Sequence, residues 1–298
     1  MAKIKSTKGT YPLPEPMSRP VGVIFFIGLH LIGLIGTPWY IMTYGVSVAE
    51  WALFWTWLIG TSMAITVGYH RLFAHVTFKT QAWIRFLLLF FGAATFEQSA
   101  LKWSSQHRQH HQFSDTDKDP YNINRGFFYA HMGWILFYKH RVNYDNSPDL
   151  QKSKLVMSQH HLYTLWSLGA GIIIPMLIGF LIGHPLGAFI MTINLRLVLV
   201  LHSAFFINSY AHTFGSRKFD KTIHASDHWL GAIITNGEGY HNFHHKFPND
   251  YRNGIRWYHW DPSKWMIFCL DKVKLAWDLK RTPESLIQKA RLEQKTAA

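Results

Sequence analysis

Three short stretches of this chain hold histidine at the density of a metal site: His70-Arg-Leu-Phe-Ala-His75, His107-Arg-Gln-His110-His111 and His241-Asn-Phe-His244-His245. Imidazole binds iron, zinc, copper and nickel well. On a helix, His107, His110 and His111 fall at i, i+3 and i+4 and face one way; His241, His244 and His245 repeat that geometry. His70 and His75 are five apart, which splays them by about 140° on a regular helix; they can still converge if the second span ends between them. A structural zinc site needs about four ligands, and one ion rarely takes more than about six. Eight imidazoles therefore point to two metals. Asn208 and His212, one helical turn apart near the end of an apolar stretch, extend the set, because a polar residue deep in a span is costly and marks function. Asn208 can bind a metal directly or through a water. All-nitrogen ligation suits iron held for O2 chemistry, and also zinc or copper; composition does not choose among them.

The remaining histidines, His30, His131, His140, His160, His161, His184, His202, His224, His228 and His259, read as ordinary satisfied side chains. Glu238, just before the third cluster, reads either as a carboxylate orienting a ligand imidazole or as a solvated loop acid.

The elements that must position these groups are membrane spans. The chain has 298 residues, 48% of them hydrophobic and only 16% charged, against about 25% charged in soluble proteins. A bilayer core takes about 20 apolar residues as a helix. Residues 21–44, 46–69, 161–183 and 186–210 meet that requirement and form two hairpins with short connections. Nearly all Lys and Arg lie outside them, in a tail over residues 1–20 (Lys3, Lys5, Lys8, Arg19) and in two long parts, about 71–158 and 213–298. The positive-inside rule puts these parts and both termini in the cytoplasm. The apolar segment 83–98 carries Arg85 and Glu97, and a crossing there would separate His107 from His70 and His75. It is expected to lie at the interface or partly re-enter. The expectation is an all-α integral membrane protein, one domain over 1–298, with four transmembrane helices in two hairpins, an interfacial helix and a cytoplasmic helical cap carrying the histidines. The aromatic group Trp257, Tyr258, Trp260 and Trp265 suits headgroup level.

The net charge of +13 fits membrane topology rather than nucleic acid, since no basic helix or aromatic RNA-binding signature is present. The single cysteine, Cys269, excludes an intrachain disulfide framework and Cys-ligated zinc or iron–sulfur sites.

The ordered His-x4-His, His-x2-His-His, His-x2-His-His series resembles the membrane fatty acid desaturases. The flanking stretches sharpen the resemblance to the acyl-CoA, Δ9, stearoyl-CoA type: Gly68-Tyr-His-Arg-Leu-Phe-Ala-His75, His107 through Pro120, Arg125-Gly-Phe-Phe128, Asn208-Ser-Tyr-Ala-His-Thr-Phe-Gly215 and Gly237 through Arg252. It covers nearly the whole chain after Pro20. The resemblance implies two iron ions cycling between Fe2+ and Fe3+, O2 as cosubstrate and external electrons. Its ligands carry over to His70, His75, His107, His110, His111, His212, His241, His244 and His245, with Asn208 acting through a water. It implies a cis double bond at Δ9 in a saturated acyl chain, delivered as acyl-CoA or, second, in a membrane lipid. No His-Pro-Gly-Gly haem motif or cysteine set is present, so the expected donor is a separate ferredoxin- or cytochrome b5-type protein with its reductase. Departures fall where the acyl carrier binds: animal acyl-CoA desaturases have Arg at Ser105, Asp at Gln106, Asn at Gln98, an Arg-Lys pair at Tyr138-Lys139 and Trp at Phe205. Trp103 and Lys139 match and are candidate substrate contacts; Arg108, Arg125, Lys118 and Arg141 are candidate replacements for the missing cations. The rival readings are a membrane di-iron alkane or acyl hydroxylase and, from another class, a His-rich metal transporter or sensor.

Overall fold

A computed structural model describes residues 13, 15–17, 20–139 and 141–296. Most of the expected tail, and His140, fall outside them. The main helices are α1 (Pro20–Tyr44), α2 (Val48–Ala74), α3 (Ala82–Ala93), α4 (Ala100–Phe113), α5 (Tyr163–Leu181), α6 (Pro185–His212), α7 (Trp229–Ile234), α8 (His241–Lys246), α9 (Pro262–Lys272) and α10 (Glu284–Thr296). Sheet among the described residues is limited to two-residue pairings: Glu15–Pro16 with Tyr138–Lys139, and Lys79–Thr80 with Ala276–Trp277. The protein is an all-α membrane protein, as its apolar spans require.

Helices α1, α2, α5 and α6 are long and apolar enough to cross a bilayer. They divide into an outer and an inner pair. Only 17% and 28% of the most apolar windows of α1 and α5 are buried, against 50% and 61% in α2 and α6. The outer pair turns Ile24, Phe25, Leu34, Leu177 and Phe180 outward, where lipid tails are as apolar as they are. The inner pair packs within the protein and carries three of the histidines in question, His70, His212 and, just beyond α2, His75.

Each hairpin closes on a residue in the left-handed region, Gly45 (φ +71°) and Gly183 (φ +76°). Helix α2 starts with a capping box between Ser47 and Glu50, which satisfies two otherwise orphaned amides. The buried Glu50 carboxylate also accepts from Tyr40 Oη at 2.7 Å and lies 3.4 Å from His184 Nδ1. It thereby joins the two hairpin turns at the end remote from the histidine clusters. Gly187 packs directly on this group; a Cβ there would collide with the Glu50 carboxylate.

Helix α3 is too short to span. It packs Ile84, Leu88 and Leu89 into the main core with Ile65, Val67, Tyr69, Leu72 and Phe73 of α2, as expected for a helix that does not cross.

The second half of α2, Ala64–Ala74, is π-helical and wholly buried. His75 N donates to His70 O at 3.0 Å. The helix ends at Ala74, between the two histidines as the spacing anticipated, and His75 is its C-cap. The i+5 bond widens the last turn so that the fifth residue returns over the first, which brings the two imidazoles to one side.

Away from the clusters, His30, His202 and His131 form a chain: His30 Nε2 to His202 Nε2 at 2.7 Å, His202 Nδ1 to His131 Nε2 at 2.9 Å, and His131 Nδ1 to Ser209 Oγ at 2.9 Å. His30 Nδ1 donates to Phe26 O at 2.7 Å. Every ring nitrogen has a partner, so these are satisfied residues that tie α1 to α6.

Candidate metal centre

Nine histidines from α2, α4, α6 and α8 gather into two adjoining groups: His70, His75, His107, His111 and His244 in the first, and His110, His212, His241 and His245 in the second. Within each group one ligand atom per residue lies within 4.8 Å of all the others. Ligand nitrogens on one ion at about 2.1 Å lie at most about 4.2 Å apart, so side-chain shifts of a few tenths of an ångström suffice to close either group on an ion. In the first, Nε2 atoms face each other at 2.8 Å (His75, His107), 2.9 Å (His70, His244) and 3.0 Å (His111, His244). In the second they do so at 3.3 Å (His110, His245) and 3.1 Å (His241, His245). The groups meet where the His111 and His245 rings stack, with centroids 4.1 Å apart.

The two His-x-x-His-His segments do not each serve one group. His107 and His111 join the first while His110 joins the second; His241 and His245 join the second while His244 crosses to the first. The common facing expected from the spacing thus resolves into a split by one residue in each helix.

Three carboxylates fix three of the rings. Glu238 Oε2 lies 2.9 Å from His70 Nδ1, Asp119 Oδ1 2.8 Å from His110 Nδ1, and Asp115 Oδ1 3.2 Å from His212 Nδ1. An ionised carboxylate only accepts, so Nδ1 of His110 and His212 carries the proton and their Nε2 presents its lone pair to the cluster; His70 lies against Glu238 without an aligned hydrogen bond and turns its Nε2 to His244. Of the two readings of Glu238, the structure selects the orienting one. Its carboxylate is buried and also takes Arg71 at 2.9 Å and Asn253 Nδ2 at 2.6 Å. Arg71 continues to Asp261 at 2.9 Å.

Burial, followed by the neighbouring imidazoles, pushes His107, His111, His241, His244 and His245 well below the ordinary range. His75 moves the same way, with burial first and His70 next. These rings stand neutral, which is the form that binds metal. Burial also works against protonation of His110, but Asp119 outweighs it and the net shift is upward. For Asp115, burial opposes ionisation; the His212 bond and the His224 amide win and hold it at about 2. His212 Nε2 is buried and without a hydrogen-bond partner, as a nitrogen reserved for a ligand bond would be. The donor set therefore fits two imidazole-bound ions.

A cavity opens on the clusters, lined by His70, His107, His110 and His241 together with Glu97, Gln98, Trp103, Gln106, Tyr121, Trp134, Phe205 and Asn208. Trp103 stacks on His107 with centroids 4.8 Å apart. Asn208 lies on this wall beside the second group. Lys139 is exposed in its two-residue strand and is not among the lining residues. Ser105 is fully buried against Ser147. Arg108 is committed to Asp149 at 2.7 and 2.8 Å and to three backbone carbonyls.

Sequence reasoning gave Asp115, Asp119 and Glu97 no role. The signal for the first two was the acidic run that directly follows the α4 histidines. Glu97 was read only as a charge that disfavours a span. In the structure it sits in the cavity wall between two residues in the left-handed region, Phe96 (φ +59°) and Gln98 (φ +82°). Its Oε2 accepts from Trp103 Nε1 at 3.3 Å and its Oε1 has no hydrogen-bond partner. Burial pushes it up to about 8, the Trp103 bond opposing only in part, so it stands protonated at neutral pH.

Two of the four span-length helices and two shorter helices bring nine imidazoles into two adjoining groups beside one cavity, which defines a membrane protein with a paired, all-nitrogen site able to hold metal. The family model for fatty acid desaturases matches residues 49–267, and the chain belongs to that family. It is 39% identical over 278 residues to a probable acyl-CoA desaturase of Schizosaccharomyces pombe, covering 91% of this chain and 57% of the relative. It is 37% identical over 285 residues to acyl-CoA desaturase 1 of Saccharomyces cerevisiae, covering 92% and 54%. Human stearoyl-CoA desaturase is 34% identical over 297 residues, covering 95% of this chain and 79% of its own length. The chain thus spans little more than half the length of the two fungal relatives.

Proposed function

We propose that this protein is an O2-dependent acyl desaturase that introduces a cis double bond, at Δ9, into a saturated chain. The reaction balances as –CH2–CH2– + O2 + 2 e⁻ + 2 H⁺ → –CH=CH– + 2 H2O. The observation that carries this reading is a cavity at the histidine clusters that shares a wall with a second, small cavity between α2 and α6. The walls facing the histidine clusters include Ile65, Thr66, Ala204 and Ile207, and these same residues line a second cavity that continues to Ser62 and Val200 between α2 and α6. Mostly apolar space beside the histidine clusters and between α2 and α6 suits a hydrocarbon chain.

The nine histidines, with Asn208 through a water, are the proposed ligands of two iron ions. Iron held there would supply reductive activation of O2 and removal of hydrogen from an unactivated methylene, chemistry outside the reach of side chains. The protein's own residues do the rest. Asp119 and Asp115 hold the rings of His110 and His212 in the metal-binding tautomer, and Glu238 lies against His70. Trp103 braces His107 and forms part of the wall that sets which carbon faces the metals. Glu97 keeps a proton at a carboxyl directed into the cavity, next to chemistry that consumes protons.

The acyl carrier is CoA in first place, with a lipid-linked acyl group second. Exposed Lys139 and Arg141 are available to a carrier at the surface; Ser105 and Arg108 are committed elsewhere. The chain works as one membrane domain over residues 1–298, with both termini and the histidine-bearing cap, about 71–158 and 213–298, in the cytoplasm. Electrons come from a separate ferredoxin- or cytochrome b5-type donor.

The test is mass spectrometry of cellular fatty acids, with double-bond localisation, after expression in a host lacking aerobic desaturation. A new cis-monounsaturated acid, absent with His110→Ala, supports the reading and gives the position. A hydroxylated acid would instead assign hydroxylation. Metal flux into vesicles without any oxidised lipid would assign transport.

A further inference from the structure

The reaction written above needs two electrons from outside, and the surface carries a groove with the charge to receive their donor. Arg217, Lys218, Lys221, Arg291 and Lys295 line it, with Gln294 as the remaining lining residue. Five cations and no carboxylate share one depression. Of the acids close by in sequence, Asp220 bonds Thr222 at 2.5 Å and lies 3.5 Å from Lys246, Asp227 accepts from the amides of Asn242 and Phe243 at 2.8 and 3.1 Å, and Glu293 is exposed beside Gln294 without lining the groove.

What adjoins this groove sets it apart from the rest of a basic surface. Lys218 and Arg291 also line an adjoining cavity whose walls include Phe219 and Phe243. The Arg291 guanidinium sits 5.1 Å over the Phe219 ring, and the Phe219 and Phe243 rings meet with centroids 5.2 Å apart. Phe243 belongs to α8 and is bonded through one peptide link to His244. Two aromatic rings and a peptide bond therefore connect the groove to a proposed ligand of the first group.

We propose that this groove is the docking site of an acidic one-electron donor protein. The inference rests on the desaturase reading. No residue lining the groove also lines the acyl cavity. An acidic protein surface matches five clustered cations, and such complementarity acts mainly on encounter rate.

The test compares full-length protein in nanodiscs, as wild type, as Lys218→Glu/Lys295→Glu, and as Lys272→Glu/Lys280→Glu, whose exposed lysines lie outside the groove and match the charge change. Two assays are run. In the first, protein reduced with dithionite and freed of excess reductant receives stearoyl-CoA and then O2, and product is counted for a single turnover. In the second, turnover is driven by an acidic [2Fe–2S] ferredoxin or by the soluble domain of cytochrome b5, each with its reductase. The groove variant should keep its single-turnover yield and lose about tenfold or more in kcat/KM for the protein donor at low salt. The control should match wild type, and the wild-type rate should fall as salt rises.

Equal donor kinetics in the groove variant and wild type would overturn the docking site and leave the desaturase reading intact. So would single turnover with neither acidic donor active, or a change confined to dependence on anionic phospholipid. Wild type that forms no product in the single-turnover assay would remove the desaturase reading, and the docking site with it.

Discussion

Helices α4 and α8 carry histidine at the same spacing and divide it in opposite ways. In each, the i and i+4 imidazoles enter one group and the i+3 imidazole enters the other. Helix geometry allows this, because i+4 lies about 40° to one side of i and i+3 about 60° to the other. One motif can therefore address two centres, and two facing copies exchange one ligand each. The copies differ in their support. His110, the crossing ligand of α4, is held by Asp119 at 2.8 Å. His244, the crossing ligand of α8, has no partner at Nδ1; the carboxylate in its neighbourhood holds its contact His70 instead. The identical spacing says nothing of this. It follows from the loops beside the helices, Asp119 lying in the one after α4 and Glu238 in the one before α8.

The sharpest break in the comparison is to remove the crossing ligands. His110→Ala should strip the ion of the second group and His244→Ala that of the first, each abolishing desaturation while the protein still inserts. Iron content beside product formation checks this, and full activity in either variant would end the two-group assignment. Next come the carboxylates. Asp119→Asn and Glu238→Gln should each lower metal affinity by roughly 10- to 100-fold, measured by chelator competition. Glu238→Gln should also destabilise the fold more, because Arg71 is buried and loses one of its two acidic partners. Equal thermal stability in the two variants would contradict that asymmetry.

A smaller effect is expected from pH. The imidazoles pushed down in the folded state bind protons more weakly there than in the unfolded chain, whose histidines titrate near 6.5. The metal-free protein is therefore fully stable above that value and loses stability as pH falls below it. Thermal unfolding of chelator-stripped protein in detergent should show a lower Tm at pH 5.5 than at pH 7.5, with a smaller drop once metal is restored. The mildest test concerns Glu97. Its folded-state value of about 8 lies above the 4.5 of the unfolded chain. The native state gains from its proton below pH 4.5 and loses that gain as pH rises through 8. Glu97→Gln should thus gain on wild type in Tm between pH 6.5 and pH 9. A constant difference across that range would mean that Glu97 does not titrate as described.

Much of this protein was legible in its residues. Long apolar runs can only be helices in a bilayer, since lipid offers backbone groups no partners. Eight clustered imidazoles, with His212 a turn after Asn208, picked out the nine histidines that the fold gathers into two groups. The bland reading of His30, His131 and His202 was also legible, isolated histidines being mostly hydrogen-bonded structural residues. Other features depended on contacts remote in sequence. Glu238 meets His70 across 168 residues of chain, and no local pattern announces that. The π-helical turn that aligns His70 with His75 arises in a segment buried on all sides between α3, α4 and α9, where packing overrides the regular period.

The sequence by itself determined four helices long and apolar enough to span a bilayer, the identity of the clustered imidazoles and a donor set compatible with metal, because hydrophobic length and ligand type are local properties. The tertiary structure alone decided how nine imidazoles split five and four, which nitrogen of His70, His110 and His212 faces the metal position, that Glu97 holds its proton, and that a basic groove backs onto Phe243. These are matters of distance and burial between segments far apart in the chain, and only packing sets them.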